Sequence, residues 1–310
     1  MKAVYIEEYG SVDKLKIGKI SRPQVSNSQI IIKVKGAGVN PVDWMVREGF
    51  LKDTDVHNLP LVLGWDVAGE VIEVGRDVSK FSVGDTVYAY MPIAKQGAYA
   101  EFTAVESHLV SVMPRSLDFF SAAGVPLAAT TAWQALTQGC HLQPGEKILI
   151  HNASGGVGSF AVQMAKALGA YVIGTASSAN EEFVKKLGAD EFIDYKTQCF
   201  EDVVEEVDSV LAAVGGSNVL ERSLNVIKSG GYLISLLDEI DDEKARDANI
   251  HYQRWWVSPN AGDLERITEL IDTGEIIVHI DSIFPLERVK EAHALSESQR
   301  AKGKIVLRMD

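Results

Sequence analysis

Alternating apolar and polar residues mark the first third of the chain as a series of short β-strands. The clearest segments are QIIIKVKGAGVN (29–40), DVAGEVIEVG (66–75), FSVGDTVYAY (81–90) and AYAEFTAVE (98–106). Glycine and aspartate stand at the breaks between them, as is typical of turns between antiparallel strands. We therefore predict a mostly antiparallel β domain at the start of the chain.

A different pattern begins after Pro114, where apolar runs alternate with amphipathic ones. Residues 121–138 have the pattern of one long apolar helix, and five apolar strands separated by crossover helices follow. These strands are KILIHNA, YVIGTAS, DEFIDY, DSVLAAV and GYLISLL, which start at residues 147, 171, 190, 208 and 231. Such alternation of strands and helices predicts a parallel, doubly wound sheet.

The end of the chain returns to a mixed pattern, with helices predicted over 263–273 and 286–296 and a closing strand, GKIVLRM, over 303–309. This short, late strand suits a return to the β domain. The predicted fold class is therefore α/β, with a doubly wound domain inserted into a mostly β domain. The predicted boundaries are 121–260 for the doubly wound domain, and 1–120 together with 261–310 for the β domain.

Composition and charge narrow the class of protein. Of the 310 residues 46% are hydrophobic and 24% are charged, as in soluble globular proteins. The net charge of −13 disfavours a nucleic-acid partner, because phosphate binding needs clustered Lys and Arg. We find no signal peptide and no run of the ~20 apolar residues that a membrane span requires. Cys140 and Cys199 form no disulfide framework, so a cytoplasmic protein is the expectation.

A glycine-rich loop follows the strand that starts at residue 147. Its residues are Ala153, Ser154, Gly155, Gly156, Val157 and Gly158, which match the dinucleotide-binding spacing G-x-G-x-x-G with alanine in the first place. Glycines there allow a tight turn, close approach of pyrophosphate to the backbone, and close packing of helix on strand. The alternative is a crossover without a ligand, but the strand before the loop and the amphipathic helix after it favour a dinucleotide site.

The end of the next strand indicates which dinucleotide binds. NAD-preferring folds usually have an acidic residue ~20 positions beyond the loop, where it holds the ribose 2′-hydroxyl. Here the corresponding residues are Ser177 and Ser178, whose hydroxyls can donate to a 2′-phosphate. NADPH is therefore the predicted cofactor. Glu181 and Glu182 follow closely, and we interpret them as charges that pair with the start of a helix.

The order and spacing of eight sequence blocks resemble the medium-chain dehydrogenase/reductase superfamily, in its zinc-free quinone oxidoreductase (zeta-crystallin-like) family. The blocks are GAGVNPVDWMVREG, LPLVLGWDVAGEVIEVG, FSVGDTVYA, GAYAEF, AATTAWQAL, HNASGGVG, GADEFIDY and GKIVL. This resemblance covers essentially the whole chain. It implies a GroES-like catalytic domain with an inserted Rossmann domain, an active site in the cleft between them, and a homodimer.

The resemblance also indicates what chemistry is absent. Zinc alcohol dehydrogenases have Cys where this chain has Asn40, and Gly-His-Glu where it has Gly64, Trp65 and Asp66. No metal site is therefore expected. Without a Lewis acid to polarise an alcohol, the expected reaction is hydride transfer from NADPH to an electrophilic acceptor, a quinone or an α,β-unsaturated carbonyl.

Family position suggests two catalytic candidates, each with a structural alternative. Asn40 is the candidate polar group for the acceptor, and its alternative role is a turn residue before Pro41. Arg47 matches a position near the cleft, and its alternative is a structural ion pair. For the cofactor, Thr131 resembles a threonine that contacts the nicotinamide carboxamide, with helix packing as its alternative. Tyr195 and Arg300 match positions beside the adenosine 2′-phosphate, although the register of Arg300 differs by one residue.

Three functions stay open at this stage. The first is an NADPH-dependent quinone or enone reductase. The others are a non-catalytic NADPH-binding protein and an enoyl-thioester reductase, which should show a basic surface for its carrier. Trp255 and Trp256 would face opposite sides of a strand, so one would border either the pocket or a subunit contact.

Overall fold

The computed structural model describes residues 1–54 and 56–309, which form two compact units. The first unit contains residues 1–130, 258–273 and those from 278 onward, and the second contains 131–257 and 274–277. The first unit extends past the predicted boundary at 120 because the helix over Phe119–Ala123 packs on its sheet.

The secondary structure contains sixteen strands and ten α-helices within the described residues. The strands are β1 Lys2–Ile6, β2 Lys16–Lys19, β3 Gln29–Val39, β4 Leu61–Val62, β5 Asp66–Val74, β6 Thr86–Tyr90, β7 Phe102–Glu106, β8 Val110–Val112, β9 Lys147–His151, β10 Tyr171–Ala176, β11 Glu191–Asp194, β12 Val207–Ala212, β13 Ile227–Ser235, β14 His251–Arg254, β15 Ile280–Pro285 and β16 Lys304–Arg308. The helices are α1 Pro41–Glu48, α2 Phe119–Ala123, α3 Pro126–Gln134, α4 Gly156–Ala167, α5 Glu181–Lys186, α6 Phe200–Val203, α7 Val219–Ser223, α8 Asp242–Asp247, α9 Ala261–Asp272 and α10 Val289–Glu297.

The first unit is built on two β-sheets. The larger has the order β15-β16-β3-β5-β6-β8, with β7 also paired to β3, and the smaller has the order β2-β1-β4. All of these pairings are antiparallel except that of β15 with β16. The predicted antiparallel domain is confirmed, and the last strand returns to it by pairing with β3.

One face of the large sheet brings polar residues together. Gly38 on β3 lies opposite Asp66 on β5, which in turn lies opposite Tyr90 on β6. Side chains at directly opposed positions share a face of the sheet. Helix α2 covers this face closely, because a Cβ atom at Gly38 would lie 2.5 Å from the Ala123 carbonyl oxygen. The glycine thus makes room for the helix, which helps to bury Asp66.

The second unit is a six-stranded parallel sheet with the order β11-β10-β9-β12-β13-β14. The order reverses direction at β9, as in Rossmann folds. Fully buried Leu149, Val210 and Leu233 contribute to its core. The five predicted strands are present, and β14 adds a sixth at the edge.

The prediction of one long helix over 121–138 is wrong. Helix α2 ends at Ala123, α3 starts at Pro126, and a π-helical turn over Ala135–Gly139 follows α3. Proline disrupts the interior of a helix but is accommodated in its first turn, so Pro126 starts a new helix rather than continuing α2.

Candidate active site

The glycine-rich loop joins β9 to helix α4 in the second unit. Asn152 starts the loop with a left-handed backbone, φ +56°. A Cβ atom at Gly158 would lie 2.0 Å from the Asn152 carbonyl oxygen, and one at Gly155 would lie 2.6 Å from the Asn152 side-chain nitrogen. Position 158 therefore requires glycine, because its close neighbour is backbone, whereas a side chain at 155 would displace the Asn152 side chain. The loop leads into α4, whose first-turn N–H groups can bind an anion.

Hydroxyl and amide groups lie at the end of the neighbouring strand β10. Ser177 is half-buried and Ser178 is exposed. Asn180 follows them and donates from Nδ2 to Ser154 Oγ at 3.1 Å, which joins this segment to the glycine-rich loop. Tyr195 is 60% exposed, and its backbone N–H donates to the carbonyl oxygen of Ala176, the last residue of β10, at 3.3 Å.

The first acidic residue after the serines, Glu181, has an ion-pair partner in its own helix. Glu181 begins helix α5, and its Oε1 accepts a hydrogen bond from Lys185 Nζ at 2.6 Å, one turn later. Its charge is therefore paired within its own helix. The glycine-rich loop, together with the partly exposed Ser177 and the exposed Ser178 at the end of β10, suits a phosphorylated dinucleotide.

Two further cofactor candidates lie elsewhere. Thr131 is buried on helix α3 at the start of the second unit. Arg300 is exposed after helix α10 in the first unit, and its backbone N–H donates to Ser298 Oγ at 3.3 Å. The roles of Thr131 and Arg300 in binding stay predictions.

A buried polar cluster surrounds Asn40 in the first unit. Asn40 is 1% exposed and lies where β3 passes into helix α1. Its Nδ2 donates to Asp66 Oδ2 at 2.9 Å, and its Oδ1 accepts a hydrogen bond from Lys304 Nζ on β16. The other oxygen of Asp66, Oδ1, accepts the backbone N–H of Leu127 at 2.7 Å. Both ends of the Asn40 carboxamide are thus held.

Asp43 extends the cluster beneath Asn40. Its Oδ2 accepts the backbone N–H of Asn40 at 2.7 Å and the hydroxyl of Tyr99 at 2.8 Å. The first of these bonds closes the start of helix α1, as in a capping box. Oδ1 of Asp43 is buried and has no hydrogen-bond partner within the described residues.

Burial dominates the electrostatics of this cluster. It raises the pKa of Asp43 to about 7, against the opposing effect of the Asn40 N–H and the Tyr99 hydroxyl. It also raises the pKa of Asp66 to about 6, although Lys304 and Asn40 stabilise its charged form. Burial lowers the pKa of Lys304, and the two carboxylates oppose that shift. The cluster therefore holds a cation and two carboxyl groups away from water.

The residues at the family's metal position do not fit a zinc ion. Trp65 is fully buried, stacks on His57, and donates from Nε1 to the Lys95 carbonyl oxygen at 2.9 Å, so it offers no lone pair to a metal. Lys304 brings a positive charge to Asn40 and Asp66. No group of three His, Cys, Asp or Glu side chains within residues 1–54 and 56–309 is placed to hold a metal ion.

Arg47 is a buried arginine whose ion-pair partners are partly exposed. It is fully buried on helix α1, its Nη1 donates to Glu297 Oε1 at 2.6 Å, and its Nη2 donates to Glu48 Oε1 at 2.7 Å. Its Nε donates to the Gly10 carbonyl oxygen at 3.0 Å. His293, whose pKa burial and Arg47 lower to about 3, lies 3.3 Å from Nη1. This geometry favours the structural alternative for Arg47, and its catalytic role stays a prediction.

Sequence reasoning missed Asp43, Tyr99, Asn180 and Lys304. Only Asp43 had a local signal, because an acidic residue three positions after Asn40 matches a capping box.

The two tryptophans follow strand β14. Trp256 is 55% exposed, and the Arg254 guanidinium lies over its ring at 4.7 Å. Trp255 is half-buried, and its Nε1 has no hydrogen-bond partner within the described residues.

Comparison with known proteins identifies the family. Residues 26–115 match the alcohol dehydrogenase GroES-like domain, and residues 187–307 match the zinc-binding dehydrogenase domain. The chain is 37% identical to the NADPH-dependent alkenal/one oxidoreductase of Arabidopsis thaliana, over 99% of this chain and 79% of that protein. It is 36% identical to the 2-methylene-furan-3-one reductase of Solanum lycopersicum, with the same coverage.

Among solved structures, the quinone oxidoreductase of Coxiella burnetii superposes with a TM-score of 0.94 at 33% identity, covering 100% of this chain and 99% of that one. The chain belongs to the medium-chain dehydrogenase/reductase superfamily, among its quinone oxidoreductases. The predicted family, fold class and NADPH dependence are confirmed. Within the described part of the chain, no helix has both the length and the apolar character needed to cross a lipid bilayer.

Proposed function

We propose that this protein is an NADPH-dependent reductase that transfers hydride to a quinone or to an α,β-unsaturated carbonyl compound. Bound NADPH supplies the hydride from C4 of its nicotinamide ring. The loop from Ala153 to Gly158 holds the pyrophosphate against the start of α4. Ser177 and Ser178 donate to the 2′-phosphate, and Tyr195 lies at the same strand ends.

The observation that carries the proposal is the environment of Asn40. A carboxamide held at both ends supplies a fixed hydrogen-bond donor, which can stabilise the negative charge that develops on a carbonyl oxygen during hydride addition. The Asn40 carboxamide is not a Lewis acid, so it cannot activate an alcohol for oxidation as a metal ion would. The names of the plant relatives agree with this reaction, because 2-methylene-furan-3-ones are conjugated carbonyl compounds, and alkenals and alkenones contain both a carbonyl group and a C=C bond.

The test is NADPH oxidation with a panel of quinones, 2-alkenals and enoyl thioesters, alongside a titration of NADPH binding. We expect turnover of quinones or alkenals that is unchanged by a metal chelator. Turnover of enoyl thioesters alone would establish the carrier-linked alternative. Tight NADPH binding without turnover of any acceptor would refute an enzymatic function and favour a non-catalytic NADPH-binding protein.

We also propose that the protein is a homodimer. Strand β14 is the last strand at one edge of the six-stranded sheet, and the exposed Trp256 lies just beyond it. Light scattering during size-exclusion chromatography would measure the mass, and a monomer would contradict the proposal.

A cytoplasmic location stays a proposal as well, since some relatives are named as chloroplastic or mitochondrial. Imaging of a tagged copy of the protein in its own host tests this location.

A further inference from the structure

Lys304 is a buried lysine that contacts both Asn40 and Asp66 in the polar cluster. It is 3% exposed, and its Nζ donates to Asn40 Oδ1 and, at 3.4 Å, to the Val39 carbonyl oxygen. The same nitrogen lies 3.9 Å from Asp66 Oδ2. Lysines are rarely buried to this degree unless they are paired, and Asp66 and Asn40 are the partners that allow the burial of Lys304.

The chemistry of the two partners fixes the orientation of the Asn40 carboxamide. An ammonium group can only donate hydrogen bonds and a carboxylate can only accept them. Lys304 must therefore face Oδ1, and Asp66 must face Nδ2. One hydrogen of Nδ2 is used by Asp66, and the other has no partner among the described residues.

We propose that Lys304 is a positioning residue, which orients the Asn40 carboxamide so that its remaining N–H is presented to the carbonyl oxygen of the acceptor. The proposal rests on the function proposed above, in which Asn40 is the donor. A cation on Oδ1 also polarises the amide, and this makes the opposite N–H a stronger donor. A neutral residue at 304 would leave the carboxamide free to turn over.

The competing explanation is that Lys304 only neutralises buried charge. Asp66 and Asp43 are both fully buried, and each interacts electrostatically with Lys304. In that case, any loss in a Lys304 variant would come from weakened folding and would not depend on Asn40. A double-mutant cycle between Lys304 and Asn40 separates the two explanations.

The kinetic test compares Lys304→Met, Asn40→Ala and the double variant in NADPH oxidation with a quinone. We expect Lys304→Met to lower kcat by about ten- to a hundredfold, as expected for loss of a preorganised donor, with unchanged affinity for NADPH. In the Asn40→Ala background, the same change should alter kcat by less than about twofold. A full further loss in that background would overturn the proposal.

Two further variants control for folding. Lys304→Met combined with Asp66→Asn removes both charges, and we expect it to fold and to keep the low kcat. Recovery of wild-type kcat in this pair would show that only the charge balance mattered. Tyr88→Phe is the matched control: Tyr88 Oη is bonded to the Leu264 carbonyl oxygen at 2.9 Å and to Thr268, away from Asn40. It should leave kcat unchanged.

A readout that needs no turnover keeps this proposal distinct from the proposed function. Hydrogen exchange of the Asn40 side-chain amide, followed by NMR and assigned with Asn40→Ala, reports how firmly its N–H groups are held. We expect exchange at least about tenfold faster in Lys304→Met than in the wild type. Equal rates would refute the positioning role, even if the wild-type protein reduced no acceptor at all.

Discussion

Replacement of Arg47 by methionine tests whether this buried arginine is structural or catalytic. Methionine has a similar length and fills much of the same space, but it removes the two ion pairs and the bond to Gly10. Removing one partner of a buried pair costs ~3–5 kcal/mol. Glu297 and Glu48 keep 32% and 48% of their side-chain exposure and can be rehydrated. We therefore expect a loss at the low end, about 3 kcal/mol.

Urea unfolding followed by tryptophan fluorescence measures this loss. With a slope on the order of 3 kcal/mol/M, the midpoint should fall by about 1 M. At low urea, where the protein is folded, kcat should stay close to the wild-type value. Arg288→Met is the control, because Arg288 makes an exposed ion pair with Glu291. Exposed pairs contribute little to stability, so this variant should unfold at the wild-type urea midpoint. If Arg47→Met unfolds at the wild-type urea midpoint and has a kcat at least tenfold lower, the interpretation of Arg47 as a structural residue is refuted.

Three more predictions concern the cofactor site and pH. Ser177→Asp places a carboxylate where the 2′-phosphate binds, so the ratio of kcat/KM for NADPH to that for NADH should fall; an unchanged ratio would contradict the assignment of Ser177. Gly158→Ala forces a Cβ to within 2.0 Å of the Asn152 carbonyl oxygen and should abolish NADPH binding in a fluorescence titration, whereas retained affinity would show that the loop adapts. Burial raises the pKa of Asp43 from 3.8 to about 7, so the folded protein binds this proton more tightly than the unfolded chain. Its contribution to stability is complete below pH ~4 and is lost as the pH rises through about 7. Asp43→Asn should therefore reduce the fall in unfolding free energy between those pH values, and equal pH dependence in urea titrations would contradict this.

The parts of the protein that sequence reasoning predicted well are those in which the signal is local. The glycine-rich loop and its flanking strand and helix lie within one continuous segment, and Gly158 in the loop has no room for a side chain beside the Asn152 backbone. The prediction of one helix over 121–138 is wrong because the apolar pattern continues across Gly124 and Pro126. In the structure α2 ends before Gly124 and α3 starts at Pro126. A run of apolar residues indicates that a segment is buried, but it does not show that the segment forms one uninterrupted helix.

The polar cluster was beyond sequence reasoning for a different reason. Asn40 and Lys304 are 264 positions apart, and only the pairing of β16 with β3 brings them together. Within GKIVL, a single lysine at the start of a strand has the pattern of a surface cation. Tyr99 is similarly separated from Asp43 by 56 positions. No periodicity within either segment carries information about its partner.

The late position of β16 has a consequence for how the protein is made. Residues 36–39 of β3 pair with β16 along one edge, and β16 follows the whole of the second unit in the chain. During synthesis that edge is therefore open, and Asp66 has no lysine beside it, until residues 304–308 leave the ribosome. An open strand edge is a template for pairing with other chains. The edge of β3 formed by residues 36–39 is therefore exposed to pairing with other chains until the final strand has been synthesised.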